Sequence, residues 1–161
     1  VGETADHEPF EQVLRRNRGR LAGIAAAYAE REAEDLLQEI LLQLWRSQNG
    51  FQQRSGIDTW CYRVALNTAI SWQRRHQRRR LPPEALDLDQ LSAPARGDDA
   101  PALLQAFMRT LSEVDRALLV MYLDDLSGDE MAQALGIRVG AVRVRLHRIK
   151  SALANWKAGD E

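Results

Sequence analysis

Residues 81 to 101 read "LPPEALDLDQLSAPARGDDAP", and no regular element runs through such a stretch. Pro82, Pro83, Pro94 and Pro101 each lack a backbone donor and crowd the preceding turn, and Gly97 adds a further break. The stretch offers little apolar surface to bury and carries Glu84, Asp87, Asp89, Asp98 and Asp99. Residues 82–100 therefore read as a linker, with one lobe over 1–81 and another over 101–161. A chain of 161 residues is long enough for this, because small domains need only about 60 residues.

On both sides of the linker the apolar spacing is helical, and no alternating run is long enough for a sheet. Phe10, Val13, Leu14, Leu21, Ile24, Ala25 and Tyr28 mark one amphipathic helix. A second carries Leu36, Leu37, Ile40, Leu41, Leu44 and Trp45, and ends near Asn49 and Gly50. A third, with Trp60, Cys61, Val64, Ala65, Ala69 and Trp72, runs into an arginine cluster. Beyond the linker come Leu103, Leu104, Phe107 and Met108, then a helix around Val114, Leu118, Leu119 and Tyr122. The expected fold class is all-α, in two small helical domains.

The last helices are specified most closely. Ser127 followed by Glu130 is a capping box that opens a short helix, and Gly136 can adopt the left-handed conformation that closes it. Val142, Leu146, Ile149, Leu153 and Trp156 then alternate steps of four and three, which gives a second helix one apolar stripe. Gly140, Val144, His147, Arg148 and Ser151 face away from that stripe, with Arg143, Lys150 and Arg145 on its flanks. This is a helix-turn-helix whose second helix presents a cationic face suited to the DNA major groove. Arg143 and Arg148 suit base readout, Arg138, Arg145 and Lys150 suit phosphates, and His147 suits either. Arg138 stands where a Ser or Thr would ordinarily cap the helix.

A formal net charge of −1 conceals this segregation. Residues 59–80 hold Arg63, Arg74, Arg75, Arg78, Arg79 and Arg80 without a carboxylate. There, aromatic residues interleave with cations: Trp60, Tyr62, Arg63, Asn67, Trp72, Arg74 and Arg75. That mixture suits single-stranded DNA, with rings for stacking, arginines for the backbone and the Asn67 amide for a base edge. The same spacing also fits Trp60 and Trp72 as core residues.

Other chemistries find little support. Cys61 has no second cysteine, and His7, His76 and His147 share no metal-binding spacing. Glu30, Glu32, Glu34, Asp35 and Glu39 form a run of surface acids without a pocket, and no nucleophile–base pair or phosphate loop accompanies them. The start "VGETADHEPF" has neither a basic nor an apolar signal region, and no apolar run approaches the roughly 18 residues of a membrane span. The expectation is a cytoplasmic protein without membrane insertion.

In this order, three segments resemble the extracytoplasmic-function (ECF) sigma factors of bacterial RNA polymerase. "AEDLLQEILLQLWR" (33–46) is similar to the family's polymerase-binding helix, and "IDTWCYRVALNTAISWQRR" (57–75) to its promoter-melting helices. Residues 126–150 resemble the helix-turn-helix of sigma domain four. The resemblance implies sigma domain two over 1–81 and sigma domain four over 101–161. It places polymerase contacts on Asp35, Gln38, Glu39 and Gln43, and contacts to the melted downstream promoter element on Trp60, Tyr62, Arg63, Asn67, Arg74 and Arg75. It places upstream-element contacts on Arg138, Arg143, Val144, Arg145, His147, Arg148 and Lys150. It further implies core RNA polymerase, promoter DNA and an anti-sigma factor as partners, a monomer when free, no cofactor and no enzymatic activity. Two other readings use the same residues: a helix-turn-helix regulator acting without polymerase, and a sigma-like decoy that binds an antagonist.

Overall fold

The computed structural model describes residues 8–80 and 100–158, and side chains over 8–77 and 100–157. The expected linker, 82–100, lies outside the described residues except for Ala100. Among the described residues every regular element is helical. The chain divides into two compact units, Val1–Ala69 and Ile70–Glu161.

In the first unit α1 (Phe10–Ala29) follows Pro9, whose carbonyl accepts from Gln12 N at 2.9 Å. Its apolar stripe buries Val13, Leu21, Ile24, Ala25 and Tyr28. It packs on α2 (Ala33–Ser47), which buries Leu36, Ile40 and Leu44 and places Glu34 and Asp35 in its first turn, where carboxylates complement the helix dipole. Helix α3 (Ile57–Arg80) starts from the Gly56 carbonyl, which accepts from Trp60 N at 3.0 Å, and its first half buries Cys61, Tyr62, Ala65, Leu66 and Ala69. Burial raises the Cys61 thiol from its ordinary 9.0 to about 12.

A polar clip fixes the start of α3. Asn17 is 4% exposed, yet its amide donates to Val13 O at 2.8 Å and to Asp58 Oδ1 at 2.7 Å. Arg16 donates through Nε to the same oxygen at 3.0 Å and also pairs with Glu8, and these hydrogen bonds raise its pKa further. A buried amide without such acceptors would destabilise the unit.

In the second unit α4 (Ala100–Thr110) leads to α5 (Glu113–Leu123), capped by the Ser112 hydroxyl, which accepts from Asp115 N at 3.2 Å. Buried Arg116 donates through Nε to Met108 O at 2.9 Å, tying the two helices together. Helix α6 (Gly128–Leu135) carries the complete capping box, and Gly136 closes it at φ 65°, ψ 33°. Helix α7 (Val139–Ala158) packs on α5 and α6 through Val142 and Ile149, both buried. Two aromatic residues assigned to apolar stripes depart from that expectation: Trp45 is 48% and Tyr122 42% exposed. Trp45 touches Phe10, with centroids 6.1 Å apart, and Tyr122 lies beneath Lys150.

Candidate nucleic-acid interface

Helix α2 turns Asp35, Gln38 and Leu42 outward, with Glu39 half-buried beside them, because each lies three, four or seven residues from Asp35. Leu42 is 48% exposed, an apolar centre within a polar rim. Sequence reasoning passed over it, although its spacing from Asp35 marked the same face. Gln43 sits to one side and donates to Ser47 Oγ at 3.1 Å.

On α3, Arg63 and Asn67 are exposed one turn apart, and Arg74 and Arg75 are exposed further along. The two aromatic assignments need correction. Tyr62 is 1% exposed, since it points with Leu66 into the helical core. Trp60 is 6% exposed because Phe51 and Phe10 cover it, with centroids at 5.5 and 6.3 Å. Neither ring presents a face on which a base could stack. Trp72 is buried too and stacks on His76 with centroids 3.6 Å apart. Within the second unit, Arg74 forks onto Glu113, Nε to Oε1 at 2.8 Å and one terminal nitrogen to Oε2 at 2.6 Å. These hydrogen bonds hold the Glu113 carboxyl below its usual range and raise the Arg74 guanidinium.

Helix α7 leaves Arg143, Val144, His147, Arg148 and Lys150 exposed, and Arg138, just before it, is exposed too. The Arg138 carbonyl accepts from Val142 N at 3.1 Å, so the residue begins the helix through its backbone. Two of the cations are engaged inside the unit. Arg145 donates to Asp115 Oδ1 at 2.8 Å, and Lys150 Nζ lies 4.2 Å from the centre of the Tyr122 ring. Among the described residues, Arg143 and Arg148 have no ion-pair partner. Among the described residues the face thus offers three guanidiniums without an ion-pair partner, those of Arg138, Arg143 and Arg148, with an imidazole and one apolar side chain.

Among the described residues no group of three or more His, Cys, Asp or Glu could hold a metal ion, and no helix is long and apolar enough to cross a membrane.

Comparison with known families matches residues 13–79 to Sigma-70 region 2 and residues 102–153 to Sigma-70, region 4. The chain is 28% identical over 170 residues to ECF RNA polymerase sigma factor SigE of Mycolicibacterium smegmatis, covering 98% of this chain and 65% of that protein. It is 27% identical to the ECF RNA polymerase sigma-E factor of Escherichia coli, covering 95% and 88%. Its fold is similar to that of the sigma factor RpoE of Bartonella quintana, solved in complex with the anti-sigma factor NepR, at a TM-score of 0.73 and 23% identity over 94% of this chain and 98% of that one. With region 2 and region 4 matched in order, and relatives of one kind along nearly its whole length, the chain belongs to the ECF sigma factors of the sigma-70 family.

Proposed function

We propose that this chain is an alternative sigma factor that binds core RNA polymerase, recognises promoter DNA and directs transcription initiation. The observation that carries this reading is the order of three surfaces along one chain: the α2 face, the cationic α3 face and the capped helix-turn-helix with its cationic α7. In it, residues 1–81 act as sigma domain two, 82–100 as tether and 101–161 as sigma domain four. Asp35, Gln38 and Glu39, with Leu42 at their centre and Gln43 at the side, meet the polymerase. Arg63, Asn67, Arg74 and Arg75 hold the unpaired strand, whose bases are captured as the duplex opens. Arg138, Arg143, Val144, His147 and Arg148 meet the upstream element. The protein transfers no group itself, and polymerase performs the nucleotide chemistry.

The same reading makes the protein cytoplasmic, monomeric when free and the target of an anti-sigma factor. Support for the last point comes from structural neighbours of this fold, RpoE with NepR and CnrH with the cytosolic domain of CnrY. In vitro transcription with core polymerase and a panel of genomic promoters tests the proposal, with start-site-specific transcripts expected from a subset. Sequence-specific duplex binding without polymerase, and no transcripts on any promoter, would point instead to a stand-alone regulator.

A further inference from the structure

Two outward residues of α7 have no evident use inside the fold. Val144 is 53% exposed, with Gly140 one turn before it and His147 and Arg148 one turn after. A single exposed apolar side chain is ordinary by itself. Gly140 supplies an independent observation. Its backbone is not left-handed, and a Cβ placed on it would meet nothing within 4 Å. Neither conformation nor internal packing asks for glycine there, and glycine weakens a helix relative to alanine. What glycine does provide is an approach to the backbone closer than a methyl group permits, here in the first turn of α7, the part of a recognition helix that reaches base edges.

We propose that the Gly140–Val144 line is where α7 touches base edges, with Val144 against the 5-methyl group of a thymine and Gly140 letting the backbone close on the groove. This rests on the reading of α7 as a promoter-reading helix. Among the standard bases only thymine displays a methyl group in the major groove, and an apolar side chain is its natural contact. The flanking Arg143 and Arg148 supply the charged contacts that seat such a contact among phosphates and guanines. Arg145 and Lys150, engaged with Asp115 and Tyr122, lie to the sides of this line.

The test uses the full chain bound to core polymerase and a duplex it selects from a random pool. Each thymine is replaced singly by deoxyuridine, which removes only the methyl group. At one position the replacement should weaken binding about fourfold, the equivalent of one buried methyl group. Val144→Ala should abolish that sensitivity, and Val144→Ile should keep it. Gly140→Ala should raise the unfolding midpoint while weakening the same duplex. The proposal is overturned if no thymine is sensitive, if the sensitivity persists in Val144→Ala, or if Gly140→Ala binds as tightly as the native protein. Should the native complex select no sequence at all, the assignment of α7 to promoter reading fails with it.

Discussion

Replacing Asp58 by alanine should loosen the start of α3 by about 2–5 kcal/mol, a large share of a small domain's stability. Asn17 would keep its bond to Val13 O but lose the carboxylate at 2.7 Å, leaving an N–H unsatisfied in a side chain only 4% exposed. A hydrogen bond to a charged acceptor contributes about 1.5–3 kcal/mol. The Arg16–Asp58 pair, with side chains 40% and 45% exposed, adds only about 0–1 kcal/mol after solvent screening. Loss of a carboxylate from the first turn of α3 costs about 0.3–1 kcal/mol more. Asp58→Asn keeps an acceptor oxygen and should cost less than half as much. Native-state hydrogen exchange at α1 and α3 amides reads the change within the first unit, and a double-mutant cycle with Asn17→Ala isolates the shared bond. If Asp58→Ala and Asp58→Asn are equally mild, and the cycle gives a coupling below about 0.5 kcal/mol, the buried amide is indifferent to its acceptor and the clip holds nothing.

Charge reversal at Asp35 and Glu39 should weaken capture of core polymerase at least tenfold while circular dichroism stays native; unchanged affinity would remove the α2 face from the interface. Ser127→Ala should destabilise the second unit by about 1 kcal/mol, because the hydroxyl that accepts from Glu130 N at 3.1 Å is lost; denaturant titration measures it. Cys61, raised from 9.0 to about 12, stays protonated in the fold while the unfolded chain ionises above about pH 9. The contribution of Cys61 is therefore full below about pH 9 and is lost by up to about 1.4 kcal/mol per pH unit between about pH 9 and 12, where the folded thiol ionises too. Cys61→Ala should remove that component of the pH profile, and an identical profile would place the titration elsewhere.

How far the sequence could be read depended on the range of the forces involved. The capping box at Ser127 and Glu130 and the left-handed Gly136 were legible because each is settled within four residues. The stripe through Val142 and Ile149 was legible for the same reason. Trp60 and Tyr62 were not, since a ring beside arginines suits both a base and a core, and only Phe10 and Phe51, distant in sequence, decide for the core at Trp60. Periodicity counted Trp45 and Tyr122 as buried because it fixes direction around a helix but not where the neighbouring helix ends. Asn17 gave no warning either: its acceptor is 41 residues away. For the interface, the exposed cations of α7 were foreseen, whereas the engagement of Arg145 and Lys150 depends on Asp115 and Tyr122 of another helix.

The bond between Arg145 and Asp115 bears on how this protein would sense ionic strength. Each phosphate neutralised on duplex DNA frees close to one condensed cation, giving a log–log salt slope of about −0.9 per contact. If Arg145 remains with Asp115, it frees none. A swing to a phosphate would break the 2.8 Å bond and leave the Asp115 carboxylate, 28% exposed, without it, which opposes the move. While the bond holds, the salt slope is smaller by about 0.9 than the arginines of α7 suggest. Promoter engagement through this helix should then fade more gently as the potassium concentration rises than it would for a helix whose every cation stood unopposed.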